Sequence, residues 1–289
     1  MSILIIGHLL SACIGISLGL LGGGGSVLAL PILVYVMGVA PKPAIVMTLV
    51  IVGSVSLLGV IPHWRRGNIN LKKAYIFGST TMLGAFIGAK IAIIPGVTDT
   101  FQMTLFAVMM LLMAVFMLRH NSQTKTPTKK DERQPGLYPQ SACNYHWLWL
   151  TIDGLGVGIL TGLVGVGGGF AIVPALVLLG NTPMKEAVGT SLLIIALNAV
   201  AGLLGYLGQV SFDISLTVSF TIAASLGTLV GTYLAQFVSA QQLQKSFGYF
   251  LLAVAAFVLF QNQSNFHKSE RSANSVSKVQ LNSAASQQL

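Results

Sequence analysis

Two runs of glycine carry the chemistry this chain is equipped to do. One is Gly22-Gly23-Gly24-Gly25-Ser26, preceded by Gly19 and followed by Pro31; the other is Gly165-Val166-Gly167-Gly168-Gly169, preceded by Gly162 and followed by Pro174. Glycine is among the poorest helix formers, so each run should break a helix. A new helix then starts, at Ser26 after the first run and near Phe170 after the second, and its first N–H groups have no intrahelical acceptor. With the partial positive charge of the helix dipole, such an end attracts anions. Glycine also lets a ligand approach the backbone without a Cβ in the way. Two such ends meeting would cradle a small oxyanion. The competing use of these residues is close helix packing in a membrane; four glycines in a row, echoed at a matching position, favour the cradle.

Other residues could serve the same chemistry. Lys42, in Pro41-Lys42-Pro43-Ala44, and Lys185, in Pro183-Met184-Lys185-Glu186-Ala187, could draw anions to opposite mouths of a pathway, or simply snorkel to water. Thr48 and Ser191 follow about one helical turn later, with hydroxyls that either face the cradle or bond back to their own helix. Asn198 lies seven residues beyond Ser191, on the same helical face. Ionisable residues inside spans are costly and usually functional. Asp153 and His8 are therefore candidates for proton coupling, whereas Lys90, five residues before Pro95, is explained by snorkelling. His63-Trp64-Arg65-Arg66 reads as an interfacial anchor with a positive flank.

The elements that must position these groups are apolar. The chain is 54% hydrophobic and 8% charged, with a mean hydropathy of +0.78. Soluble domains carry roughly 25% charged residues, and a soluble globule could not hide this much apolar surface. The lipid bilayer is the implied partner. Apolar stretches cover 3–38, 44–62, 74–94, 100–118, 147–180, 187–207, 214–237 and 246–260. Most match the roughly 20 residues needed to cross the hydrocarbon as helix, the only open element that satisfies its own backbone there. The chain also repeats itself at an offset of 143 residues, with Lys42 on Lys185, Thr48 on Ser191, Gly84 on Gly227 and Gly88 on Gly231. The expected fold is an all-α polytopic membrane protein of two homologous repeats, four apolar segments each. The first segment of each repeat is broken by its glycine run.

The first stretch would be about 54 Å long as one helix, too long for a single straight span. Each broken segment is either one crossing with an unwound centre or a re-entrant helical hairpin tipped by glycine. The hairpin inverts the second half relative to the first, which suits alternating access. The division is 1–118 for the first repeat, 119–146 for a polar linker, 147–260 for the second repeat and 261–289 for a polar tail expected to be disordered. Positive charge puts the loops at 63–73 and 119–146 in the cytoplasm, for a multi-pass protein of the cell (inner or plasma) membrane. The net charge of +9 follows this topology rather than an aromatic-interleaved basic surface, so no nucleic-acid partner is expected. Cys13 and Cys143 have no metal or disulfide spacing. Walker loops, HExxH and serine nucleophile elbows do not occur; an enzyme is not expected, nor a cofactor, nor a metal. Energy must then come from a gradient.

The run Gly19-Leu20-Leu21-Gly22-Gly23-Gly24-Gly25-Ser26-Val27-Leu28-Ala29-Leu30-Pro31, the later Gly84-Ala85 and Gly88-Ala89, and Ala187-Val188-Gly189-Thr190-Ser191 resemble the TauE/SafE family of sulfite and organosulfur-anion exporters. The resemblance spans roughly residues 4–260. It implies a permease moving a small inorganic or organosulfur anion such as sulfite or sulfoacetate; a homo-oligomer is compatible with it. An anion channel and a non-transporting structural or regulatory membrane subunit are the alternative readings.

Overall fold

The computed structural model describes residues 2–94, 97–121, 145–165, 167–180, 182–206 and 210–261. The chain is helical throughout these residues: α1 Ser2–Leu21, α2 Gly24–Pro31 with a π-helical continuation over Ile32–Val36, α3 Pro41–Arg65, α4 Leu71–Ala92, α5 Asp99–Asn121, α6 Tyr145–Val164, α7 Gly169–Leu178, α8 Met184–Tyr206, α9 Ile214–Ala235 and α10 Ala240–Gln261. Six of them (α3, α4, α5, α8, α9 and α10) are long and apolar enough to cross a bilayer. The starts of α6, α8 and α9 (145, 184 and 214) follow those of α1, α3 and α4 (2, 41 and 71) by 143 residues. The expected disordered tail, apart from Gln261, and most of the polar linker lie outside the described residues.

Both broken segments fold back. After the first break, Gly25 comes up against the Ile14 carbonyl, and Gly7, near the start of α1, packs 2.8 Å from Met37 Sδ if given a Cβ. The start and end of that segment therefore share one face of the protein. In the second, the end of α7 is held at the opposite face, where Lys73 at the start of α4 donates from Nζ to the Gly180 carbonyl and to Thr182 Oγ1, both at 2.9 Å. Of the two geometries the sequence allows, the structure adopts the hairpin. Pro31 ends the regular turn of α2 because it lacks an N–H and leaves a carbonyl without its usual donor; the wider π turn follows directly.

Two helix pairs clamp the hairpins. α1 runs parallel to α9, with Gly15 on Ala224, Gly19 on Thr228, Gly227 on Ala12 and Gly231 on Ile16. α6 runs parallel to α4, with Gly84 on Leu155, Gly88 on Ile159, Gly158 on Thr81 and Gly162 on Ala85. In every case the glycine meets backbone of the other helix, so the approach is closer than any side chain allows. This is small-residue packing at four-residue spacing, the main source of helix association where lipid removes the hydrophobic driving force. Between the pairs, α3 and α8 cross the centre antiparallel, with Leu49 on Gly202, Gly53 on Ala199 and Leu192 on Gly59.

Two hydroxyls join the α1–α9 clamp to the backbone opposite: Ser11 Oγ donates to the Phe220 carbonyl at 2.7 Å and Thr228 Oγ1 to the Gly15 carbonyl at 3.0 Å. Replacing Gly158 or Gly162 by alanine should therefore destabilise the protein by about 1–3 kcal/mol through overpacking. Gly156 lies on the same helix with open space around it; Gly156→Ala should be neutral or stabilising by up to about 1 kcal/mol. Thermal midpoints of the three purified variants in one detergent make the comparison.

Candidate functional site

The two breaks begin alike. α1 ends on Gly22 at φ 72° and α6 on Gly165 at φ 75°, left-handed residues that glycine adopts without steric cost. Their amides still bond back, Gly22 to the Leu18 carbonyl and Gly165 to the Thr161 carbonyl, both at 2.8 Å. The next helices start at Gly24 and Gly169, two residues and one residue earlier than expected from the sequence. Neither has a side-chain cap, and their first residues are buried. Helix N-termini without a capping side chain, inside a protein, are the arrangement that invites an anion.

The breaks meet. A Cβ on Gly23 would run into the Gly169 carbonyl oxygen, and one on Gly169 would lie 2.8 Å from Gly23 Cα and 2.7 Å from Ser26 Oγ. Ser26 Oγ donates to the Gly23 carbonyl at 2.7 Å, which keeps the hydroxyl at the junction. Gly23 and Ser26 thus meet Gly169 in one buried junction, with Gly22, Gly24, Gly25, Gly165, Gly167 and Gly168 buried on either side of it in the chain.

The central helices line it. Gly22 packs on Val188 and Ser191 of α8; Ser191 Oγ donates to the Val188 carbonyl at 2.8 Å and lies 3.3 Å from the Gly22 carbonyl. Both uses foreseen for this hydroxyl, back-bonding and facing the break, are present. On the other side Gly165 meets Ile45 of α3, and Gly167 lies 3.7 Å from Ile195, 3.9 Å from Val52 and 4.0 Å from Leu49 were it to carry a Cβ. Thr48 sits on the α3 face that carries Ile45 and Val52. It is fully buried and its Oγ1 has no hydrogen-bond partner, a cost of about 1–3 kcal/mol that folding alone does not call for. Asn198 lies a turn beyond Ile195 but turns to α4, where its Oδ1 accepts from Thr81 Oγ1 at 3.2 Å; its Nδ2 is buried without a partner. Seven-residue spacing puts Ser191 and Asn198 on one face, yet different helices cover that face along its length.

Lys185 lines a cavity of about 260 Å³ with His63, Arg66, Asn68, Val188, Ala235, Gln236 and Leu243. Its floor residue Val188 is the one against Gly22, so the cavity stops at the first break. The 66–70 loop forms its wall and is tied to α8: the Asn70 amide donates to Thr190 Oγ1 at 3.0 Å and Asn70 Nδ2 to Glu186 Oε1 at 2.7 Å. Sequence reading took 63–66 mostly as an anchor, with His63 a further titratable candidate, because the residues completing the wall are over a hundred positions away. Lys42 begins α3 at the opposite face, half-buried. His8 stacks on Phe220 with centroids 5.4 Å apart, at the open end of the first hairpin. Asp153 is half-buried, beside the Gly154 contact with Thr80. None of these three is brought to the junction. Among the described residues no group of three His, Cys, Asp or Glu side chains could hold a metal ion.

Known proteins share this chain. The family model described as Sulfite exporter TauE/SafE matches residues 8–277. A probable membrane transporter protein of Xylella fastidiosa (strain 9a5c) is 32% identical over 256 residues, 86% of this chain and 92% of that one. The probable membrane transporter protein YdhB of Bacillus subtilis (strain 168) is 28% identical over 204 residues, 69% and 77%. The probable membrane transporter protein MJ0441 of Methanocaldococcus jannaschii is 26% identical over 199 residues, 67% and 68%. No solved structure matches. A correspondence that runs through both hairpins and all six spans is one of whole architecture, and the chain belongs to the TauE/SafE family of membrane transporters.

Proposed function

We propose that this multi-pass transporter is a secondary exporter of a small sulfur-containing anion, sulfite or a sulfonate, working by alternating access between two inverted repeats. The observation that carries the reading is the junction of the two breaks: two buried helix N-termini without side-chain caps, contributed by hairpins that open to opposite faces. Backbone amides around Gly22–Gly25 and Gly165–Gly169 hold the anion, and no competing positive side chain is needed at that depth. Discontinuous helices whose N-termini point at an anionic group near the midplane are a recurring transporter device. Thr48 supplies a hydroxyl with nothing else to bind. Ser191 exchanges its long contact with the Gly22 carbonyl for the ligand. Asn198, turned to Thr81 a turn farther on, would have to rotate to bring its unpartnered Nδ2 to the ligand. Lys185 and Lys42 draw anions to the two mouths.

Sidedness follows from charge. The face with the α3–α4 loop holds Arg65, Arg66, Lys72 and Lys73, and the linker carries five further Lys and Arg between Arg119 and Arg133; this face is cytoplasmic by the positive-inside rule. The start of α1 and the end of α10 then lie outside, and an inner-membrane or plasma-membrane orientation puts the cavity beside Lys185 on the side from which an exported anion is loaded.

Purified protein in liposomes should take up labelled sulfite with saturation, and an imposed pH gradient distinguishes coupled from facilitated movement. Flux without saturation would make the protein a channel, and none for sulfite, sulfonates or sulfate would overturn the reading. Gly24→Val should abolish flux while insertion remains intact, because the added atoms meet only Leu21 and the Ser17 carbonyl at 3.0–3.3 Å within the same hairpin. Thr48→Val should hold or raise the thermal midpoint, since it removes an unpartnered buried hydroxyl, yet lower sulfite flux about tenfold, the worth of one hydrogen bond to an anion.

A further inference from the structure

The cavity beside Lys185 has a composition that its role as a mouth does not require. Three of its lining side chains are basic (His63, Arg66 and Lys185), two are amides (Asn68 and Gln236), and none is acidic. The carboxylate next to Lys185 in the chain, Glu186, is not among the lining residues and accepts from Asn70 Nδ2 at 2.7 Å. His63 is the decisive group. It is 3% exposed, and among the described residues the Gly19 backbone is the one polar partner beside its ring, so at least one ring nitrogen is left without a hydrogen bond. A buried imidazole nitrogen without a partner is costly, and this one sits in the wall of a cavity. Arg66 lies at the rim with one arm pinned, its Nη1 donating to the Thr232 carbonyl at 3.0 Å. A guanidinium has five N–H donors in a planar fork, so the pinned arm aims the remainder. The volume of about 260 Å³ is below the roughly 300–1,000 Å³ of sites for drug-sized ligands.

We infer that this cavity is a discrete binding site for one small oxyanion: a loading site in which Arg66 and Lys185 neutralise its charge and an N–H of His63 binds an oxygen at the inner end. It is assembled from both halves of the chain, His63, Arg66 and Asn68 from one and Lys185, Gln236 and Leu243 from the other. Val188 in its wall packs against Gly22, and His63 stands beside Gly19, so the site lies directly against the first break. The inference rests on the anion-transport reading for its direction of travel, while binding itself is independent of flux. Lipid phosphate shares the chemistry of a free oxyanion; a cavity of about 260 Å³ walled in part by the buried His63 and Val188 suits a free anion.

The test is equilibrium binding of radiolabelled sulfite, kept anaerobic, to the full-length protein in nanodiscs, alongside flux in liposomes. Lys185→Gln and Arg66→Gln should each raise the Kd about tenfold or more, the scale of one lost charge-assisted contact. His63→Leu should weaken binding, and His63→Gln, which keeps a donor, should recover part of it. Lys185 is half-buried on the first turn of its helix, so Lys185→Gln is readable even if Arg66→Gln, which frees the Thr232 carbonyl, lowers the thermal midpoint. Arg119→Gln, in the wall of a separate apolar cavity, should leave the Kd unchanged. Kd values for Lys185→Gln and His63→Leu within twofold of the native protein would overturn the site while leaving transport standing. Sulfite binding that Lys185→Gln weakens, with no flux in any variant, would support the site and sink the transport reading. Competition by phosphatidylglycerol in the nanodisc, without any displacement by unlabelled sulfite or methanesulfonate, would make the occupant a lipid and overturn the inference.

Discussion

Inside a bilayer each backbone N–H and C=O must find its partner within the protein, since lipid supplies none. Everything distinctive about this structure follows from how it meets that constraint while interrupting two helices. The broken ends are covered, each by the other and by the central helices α3 and α8. The left-handed glycines 22 and 165 keep their own amides bonded to the preceding turn, so each break leaves only the first amides of the next helix without an intrahelical acceptor. What remains unpaired is thereby confined to one junction.

Keeping two interruptions in register demands rigid surroundings, and the glycine clamps supply them. Gly15 and Gly19 against Gly227 and Gly231, and Gly84 and Gly88 against Gly158 and Gly162, bring backbone onto backbone along α1–α9 and α4–α6. The same residue type thus does two jobs a few residues apart. At the breaks it removes helix propensity and admits left-handed φ; at the clamps it stays helical and removes only a Cβ. The neighbourhood decides which, because a lone glycine in a helix costs about 1 kcal/mol that close packing offsets, whereas a run of four accumulates the cost at one place.

Buried polar groups without partners form a second pattern. Thr48 Oγ1 lies beside the junction and the His63 ring beside the cavity, whereas Asn198 Nδ2 lies a turn beyond the junction. Ser56 Oγ lies on α3 between Val52 and His63, Gln244 Nε2 follows the cavity residue Leu243, and Gln102 holds the Leu163 carbonyl beside the second break. Membrane interiors make each such group expensive, which is why those beside the junction and the cavity gain meaning from their location rather than from their number.

Much of this was legible in residues alone. Composition and the eight apolar stretches announced a helical membrane protein, and the runs at Gly22–Gly25 and Gly165–Gly169 announced where helices stop, because propensity and hydropathy are properties of short stretches. Tertiary structure alone decided that each broken segment returns to the face it entered, that Gly23 lies on Gly169, and that Asn198 turns to Thr81 instead of a break. It alone joined His63 and Arg66 to Lys185, three basic side chains whose separation along the chain hides them from any local reading. Those outcomes depend on which helices pack together, and packing in a membrane is chosen by the fit of small residues between segments far apart in sequence, a fit that no single segment contains.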